Sequence, residues 1–508
     1  MRKIPATMAT QHPDNAGVPY WGDTAFISTL DEVEECYRVF SDLGIDEYMW
    51  DWEGKFVDEA VVDRLFNKHE AYFRKNQLGL DKFLTFRVPN IWKEHGFRLA
   101  RSYMTIITAS HTAAEHGMHT PPIFEVILPM TTEAKQLVTI LEKYRNALKY
   151  ERAIFEERVA GESTLEMIPL IEGSATLLQS RKILKDYVAR YQTLWKRRVP
   201  YLRPFIARSD PALDAGFIPA VLSARGAISE YYRFEEESGV PVFPIIGVGC
   251  PLFRGGLSPG TIDSFLENYA GVRTVTIQSA FRYDYPLAQV KRAVARLKTD
   301  LPRRKPKRFE EGDIREIIRF SEHFAGFYRP VVTALAGMIN DLARFVPAHR
   351  ERIPHTGHFG YSRKLGKTTS LPRAISFVAT LASLGIPPSV LGTGRGLKEL
   401  LKDKTAEKRL LRYLPTFAED LGRIGAYLNW ENLKFLIKQD PAWEAVREDV
   451  VFLEKFLGRR MGPQTSEEFV HRNLTSNIYH YWRGGKKPEV PELKDAILQA
   501  ARARRSLG

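Results

Sequence analysis

Short apolar runs alternate along the first half of the chain with longer amphipathic stretches. Seven runs have the length and composition of strands: Glu47 to Trp52, Lys82 to Arg87, Phe124 to Met130, Leu165 to Glu172, Leu202 to Asp210, Val242 to Val248 and Thr274 to Phe281. Their starts lie 32 to 42 residues apart, room for one helix and two loops each. Ala134 to Val159 and Leu178 to Arg198 carry apolar residues at helical spacing. Strand–helix alternation at this interval predicts parallel βα units. Seven strands, with one more outside the obvious runs, predict an α/β fold of the (β/α)8 TIM-barrel type. A doubly wound open sheet is the alternative.

The pattern changes after Arg282. Lys298 to Asp313 is rich in Pro and in both charges and reads as a linker. Beyond it the periodicity is helical, at Glu316 to Arg344, Leu397 to Leu428 and Asn432 to Leu457. The expected organisation is a barrel over 1–290 and an extensive, mainly helical part over 291–508. The tail from Lys486 to Gly508 reads as a short surface helix.

Composition narrows the class. At 508 residues, 44% hydrophobic and 27% charged, the chain reads as globular rather than disordered or fibrous. Its net charge of +13 favours anionic partners without specifying nucleic acid. The basic run Arg303 to Arg308 reads as part of a solvated linker. Two cysteines, Cys36 and Cys250, suit a reduced, cytoplasmic protein. Met1 to Asn15 has no apolar core of a signal peptide. Ala374 to Gly394 is uncharged, but Pro387-Pro388 interrupts it, so a buried helix and loop is expected there rather than a membrane span.

Several runs close on a charged residue: Arg87, Glu172, Asp210 and, just past its strand, Arg282. In a barrel such positions form the active-site face. Glu172 and Asp210 end consecutive strands, about 4.8 Å apart side by side. Two carboxylates there suit a hard cation, Mg²⁺ or Mn²⁺. The loop from Gly247 to Gly256 suggests an oxyanion site built from backbone N–H groups and Arg254. Two other glycine motifs fail. Gly366-Lys367-Thr368 lacks the first glycine of a P-loop, and Gly392-Thr393-Gly394 lacks the third of a dinucleotide fingerprint.

Several segments, in order, resemble the phosphoenolpyruvate carboxylases in their short, archaeal-type form. Ala9 to Asn15 resembles the segment of the catalytic histidine, here His12. Asp51-Trp52-Glu53-Gly54-Lys55 is similar to an Asp-x-Asp-Gly-Asn segment, and Leu84-Thr85-Phe86-Arg87 to the strand ending in a substrate-binding arginine. Ile168 to Glu172 and Ser209 to Gly216 are similar to the two metal segments. Tyr328-Arg329, with Arg315 upstream, resembles paired arginines, and Leu371 to Ile375 through Gly392 a late helical segment.

The resemblance implies carboxylation of phosphoenolpyruvate by bicarbonate, with His12, Arg254 and Arg87 catalytic and Glu172 and Asp210 on Mg²⁺ or Mn²⁺. It implies substrate binding by Arg87, Arg329, Arg282, Arg315, Gly255, Gly256 and Lys364, with Arg363 beside the last. It also implies a homotetramer. No nucleic acid and no membrane are expected as partners. A metal-dependent barrel lyase or aldolase acting on a pyruvate-like enolate is the alternative function.

There are departures. Larger members carry a His-Gly-Arg-Gly-Gly loop where this chain has Ile246, Val248 and Cys250, so one His and one Arg are absent. Leu213 stands where they carry Lys. The chain closes on Arg-Arg-Ser-Leu-Gly instead of the family's Asn-Thr-Gly, so feedback inhibition by aspartate or malate is not carried over.

Overall fold

A computed structural model describes residues 2–118, 120–154, 165–351, 363–365, 369–484 and 490–508. Eight parallel strands close a barrel in chain order. They are β1 (Thr7–Thr10), β2 (Glu47–Asp51), β3 (Phe83–Arg87), β4 (Glu125–Leu128), β5 (Glu166–Ile171), β6 (Phe205–Ala207), β7 (Ile245–Gly247) and β8 (Thr274–Ile277). The seven expected strands are all present. The eighth is β1, whose four residues Thr-Met-Ala-Thr give no apolar run. It closes the barrel by pairing Met8 with Glu47 on one side and with Thr276 on the other.

Met8, Met49, Ile127, Ile168, Leu170, Phe205, Ala207 and Ile245 fill the interior. The end where the strands begin is plugged by charge. Arg203 donates to Glu47 at 2.6 Å and to Glu125 at 2.5 Å, and all three are buried. With this end plugged, the opposite, C-terminal face is the open one.

After β8 the chain forms a 33-residue helix, Glu311–Ala343, that packs against the barrel helix Phe217–Ser238. The expected Leu397 to Leu428 pattern is three short helices, Thr393–Leu400, Ala406–Tyr413 and Phe417–Gly425. A hairpin of β9 (Arg363–Leu365) and β10 (Thr369–Leu371) precedes the helix Ala374–Ser383. That helix carries Phe377, Val378 and Leu381 into a core shared with Leu213 and Phe217 of the barrel. Among the described residues no single helix is long and apolar enough to cross a membrane. One pair, Ala374–Ser383 with Pro388–Leu400, passes only when joined across a 96° bend.

The tail departs from expectation. Its helix, Val490–Ala503, is no surface element: Leu493, Ile497, Ala500 and Ala501 are buried. Leu507 continues inward, its N–H donating to the Asp14 carbonyl at 2.7 Å. The apolar spacing of this helix is a core face, and it docks on the helix Ser466–Arg483. Cys36 and Cys250 are both free thiols.

Candidate active site

A cavity of about 330 Å³ opens at the C-terminal face of the barrel. Its wall includes His12, Glu53, Arg87, Glu172, Asp210 and Arg254, from six different strand ends. The barrel thus brings together five residues selected from sequence, His12, Arg87, Glu172, Asp210 and Arg254.

His12 lies two residues beyond β1, and its Nδ1 sits 2.8 Å from the Thr10 hydroxyl. Asp284 holds the next turn, accepting from Ala16 N–H at 2.9 Å and from Gly17 N–H at 2.6 Å. Burial pushes the Asp284 carboxyl up to about 7, against those two N–H donors.

Arg87, the last residue of β3, is gripped by acids. Nε donates to Asp51 Oδ1 at 2.9 Å, Nη2 to Asp51 Oδ2 at 2.5 Å, and Nη1 lies 3.0 Å from Glu53 Oε2. A guanidinium has five N–H groups, so two remain for a ligand.

Arg254 is bound more completely. Nε donates to Ser209 Oγ at 3.1 Å. Nη1 donates to Asp14 Oδ2 at 3.0 Å and to the Gly508 carbonyl at 2.5 Å, and Nη2 to Gln278 Oε1 at 2.6 Å. Four of five N–H groups are spent within the chain, leaving one on Nη2.

Glu172 follows β5 directly. Asp210 lies in the first turn after β6, in the helix Ser209–Ala215. Among the described residues no group of three or more His, Cys, Asp or Glu is arranged to hold an ion alone. An all-oxygen pair of carboxylates fits Mg²⁺ or Mn²⁺ whose remaining positions are filled by substrate oxygens and water.

Four of the expected site groups lie apart from this cavity or are engaged within the chain. Arg282 does not line the cavity. It is buried and donates to the Thr10 and Ile277 carbonyls and to Glu35 Oε1 at 2.8 Å, tying β8 to β1. Arg329 is half exposed on the long helix, paired with Asp214 at 3.1 Å, and Arg315 is 75% exposed. Neither borders the cavity.

Gly255 and Gly256 do not offer N–H groups to an anion. Theirs donate to the Leu252 and Pro251 carbonyls. The two glycines are needed for their turn, with φ of 118° and 74°. The N–H groups of Val248, Gly249 and Arg254 are likewise used inside the chain. The loop contributes the Arg254 side chain to the cavity wall. Arg363 and Lys364 lie on β9, and their side chains fall outside the described residues.

The helical part adds residues that sequence reasoning missed. Val346 to Arg350 lines the cavity, as do Arg373 and Leu507. The first of these segments is fixed by charge. Arg350 donates to Glu32 at 3.0 Å and to Glu35 at 2.7 Å, and His349 Nδ1 meets the Asn15 carbonyl at 2.7 Å. Burial alone would raise the Glu35 carboxyl, but Arg350 and Arg282 hold it at about 2. Arg208 and Gln278 also line the cavity from the ends of β6 and β8. They sit at the same strand-end positions as the residues selected, and that position is the signal the sequence offers for them.

A family model described as phosphoenolpyruvate carboxylase matches residues 4–508. The chain is 38% identical to the phosphoenolpyruvate carboxylase of Leuconostoc mesenteroides over 485 residues, 95% of each protein. It is 38% identical to that of Metallosphaera sedula over the full length of both. It is 41% identical to that of Pyrococcus abyssi over 399 residues, 77% of this chain and 82% of that protein.

Proposed function

This chain belongs to the phosphoenolpyruvate carboxylase family and carboxylates phosphoenolpyruvate to oxaloacetate, and we propose that it does so in the barrel-mouth cavity with bicarbonate as the carboxyl source. The observation that carries the placement is the convergence of Glu172, Asp210, Arg87, Arg254 and His12 on one wall.

Glu172 and Asp210 would hold Mg²⁺ or Mn²⁺, which when bound supplies positive charge to the enolate oxygen. Arg87 binds the phosphate of phosphoenolpyruvate with its two remaining N–H groups. Asp51 and Glu53 fix the direction of that fork. A bicarbonate oxygen attacks phosphorus, the P–O bond to the enol breaks, and carboxyphosphate and the enolate of pyruvate result. Arg254, locked by Asp14 and Gln278, offers its last N–H to bicarbonate and then to carboxyphosphate.

His12 accepts the proton of carboxyphosphate as it divides into CO₂ and phosphate. With Nδ1 engaged by Thr10, Nε2 is the acceptor in this scheme. The enolate carbon then attacks CO₂. The segment from Val346 to Arg350 and Leu507 shields the carboxyphosphate from bulk water. On this reading the barrel, 1–290, carries the reacting groups and the helical part, 291–508, completes the site. Cytoplasmic location and a homotetramer belong to the same proposal.

The test is a coupled assay with phosphoenolpyruvate, bicarbonate and Mg²⁺, following NADH oxidation by added malate dehydrogenase. Turnover that requires all three and releases one phosphate per oxaloacetate supports the reading. His12→Asn should abolish oxaloacetate formation while the protein stays folded. Full activity in that variant removes His12 from the scheme.

A further inference from the structure

The segment from Val346 to Arg350 brings a second histidine to the cavity, and His349 takes no part in the scheme above. It lines the cavity and is 5% exposed. Two contacts fix it. Its carbonyl accepts from the Ile27 N–H at 3.0 Å, and its Nδ1 lies 2.7 Å from the Asn15 carbonyl. A carbonyl can only accept, so the proton of the neutral ring stands on Nδ1 and Nε2 keeps its lone pair. Nε2 has no hydrogen-bond partner among the described residues, and it is not among the polar atoms sealed from solvent without one. The two ring nitrogens point away from each other. With Nδ1 turned to Asn15, the open Nε2 faces the cavity that the ring lines.

Four consecutive residues anchor the neighbouring groups. His12 begins them, Asp14 accepts from Arg254 Nη1 at 3.0 Å, and Asn15 holds His349. His12, Arg254 and His349 all line the cavity. Burial holds the His349 pKa below the ordinary histidine range, and Arg350 and Arg502 add to this, against the Asn15 carbonyl. A ring kept neutral in this way is a poor proton acceptor but still accepts a hydrogen bond. Three other neutral acceptors of the wall are occupied: Arg254 takes Ser209 and Gln278, and the Val248 N–H takes Thr276. An uncharged lone pair recognises an O–H, and it discriminates against an oxyanion that has none. Of the two substrates, bicarbonate keeps one O–H at mildly alkaline pH, where phosphoenolpyruvate is fully ionised.

We propose that His349 selects bicarbonate, its Nε2 accepting the hydrogen bond of the single O–H while Arg254 holds a second oxygen and the third turns toward phosphorus. This role rests on the carboxylase reading. No proton moves to His349. The O–H bond is intact as the free oxygen attacks phosphorus, and the proton leaves only when carboxyphosphate divides, to His12.

The test uses the full chain, with bicarbonate and phosphoenolpyruvate varied separately at saturating Mg²⁺. In His349→Asn the side-chain amide can still donate to the Asn15 carbonyl, but nothing replaces Nε2. Its KM for bicarbonate should rise about tenfold or more, with the KM for phosphoenolpyruvate within about twofold of wild type. In His349→Gln the anchor is lost and an amide oxygen comes near the Nε2 position, so the KM for bicarbonate should rise less. The opposite order overturns the proposal and leaves His349 a structural anchor. A rise confined to the KM for phosphoenolpyruvate overturns it as well.

Thermal unfolding reads binding without turnover. Bicarbonate alone should raise the wild-type melting temperature more than nitrate, a planar anion of the same charge with no O–H. The difference should vanish in His349→Asn. Equal shifts by both anions in the wild type overturn the proposal. A wild type that shows the His349-dependent bicarbonate shift but no carboxylation sinks the carboxylase reading alone. Carboxylation with a KM for bicarbonate within about twofold of wild type in His349→Asn sinks this proposal alone. Should His349→Asn not fold, His349→Gln and His349→Leu carry the test. Both lose the anchor and only the first has an acceptor, so an equal KM for bicarbonate in the two overturns the proposal.

Discussion

Asp51 grips Arg87 through two parallel hydrogen bonds, Nε to Oδ1 at 2.9 Å and Nη2 to Oδ2 at 2.5 Å, across the paired ends of β2 and β3. Both residues are buried, and Gln11, one residue before His12, accepts the Asp51 N–H at 2.8 Å. The strand register that builds the barrel therefore also aims a cation of the cavity wall. In a low-dielectric wall such a bidentate pair fixes direction as much as it adds energy.

Asp51→Asn keeps the shape and removes the charge from the clamp. Charge-assisted hydrogen bonds contribute about 1.5–3 kcal/mol, so kcat/KM for phosphoenolpyruvate should fall roughly tenfold to a hundredfold. Arg87→Met goes further, leaving Asp51 and Glu53 buried without their cation, at a cost to stability of about 3–5 kcal/mol. Steady-state kinetics and urea unfolding read the two effects separately. Unchanged kcat/KM in Asp51→Asn would mean the clamp does not serve the substrate.

Gly249 owes its identity to a neighbour, not to its own backbone. A Cβ there would lie 2.8 Å from Arg254 Nη1 and 3.1 Å from Gln278 Oε1. Arg254 cannot swing away, because Asp14, Ser209, Gln278 and Gly508 all hold it. Gly249→Ala should cost about 1–3 kcal/mol of stability by overpacking and displace the guanidinium. The expected signature is a folded protein whose activity drops about tenfold or more, since a misplacement near 1 Å is enough for that. Wild-type kinetics in a well-folded Gly249→Ala would remove Arg254 from the chemistry.

Glu172 and Asp210 should each be needed for the metal. Glu172→Gln and Asp210→Asn are expected to weaken Mn²⁺ binding about tenfold or more, measured by titration calorimetry without substrate. Chelation of the wild type should stop turnover, and Mg²⁺ should restore it. Equal Mn²⁺ affinity in both variants would place the ion elsewhere.

The strand-end rule makes much of this site legible in the sequence. Glu172, Asp210 and Arg87 stand where apolar runs stop, and a parallel barrel gathers such positions on one face. His12 is harder to find, because β1 is too short and too polar to announce itself, and only the resemblance singles the histidine out. Arg282 misleads by the same rule. It also sits just past a strand, but Glu35 and two carbonyls draw it into the wall between β8 and β1.

Only the resemblance points to Arg315 and Arg329, and exposed helix positions hold both off the cavity. The buried tail escapes a sequence reading, because burial of one helix face depends on a docking partner that local pattern does not name.

Asp284 should make stability depend on pH in a defined direction. Burial is the main cause that lifts its carboxyl to about 7; nearby Asp14 adds to this, while the N–H groups of Ala16 and Gly17 oppose it. In the unfolded chain the group returns to the ordinary range, near 3.9. Between these values the folded state holds more protons than the unfolded one. The folded state is therefore favoured below about pH 4, and its advantage is lost progressively as pH rises to about 7.

Asp284→Asn removes that proton and keeps an acceptor for the Gly17 N–H, 2.6 Å from Oδ1 in the wild type. Glu94 and Glu166, lifted by burial to about 7 and about 8, add slopes of the same sign in both proteins. The difference between the two urea-midpoint curves, measured from pH 5 to pH 8, isolates Asp284. The variant should gain on the wild type steadily up to about pH 7 and then run parallel. Curves parallel throughout would mean that Asp284 is ionised across the whole range. Its hold on the turn after His12 would then be that of a charged acceptor at every pH tested.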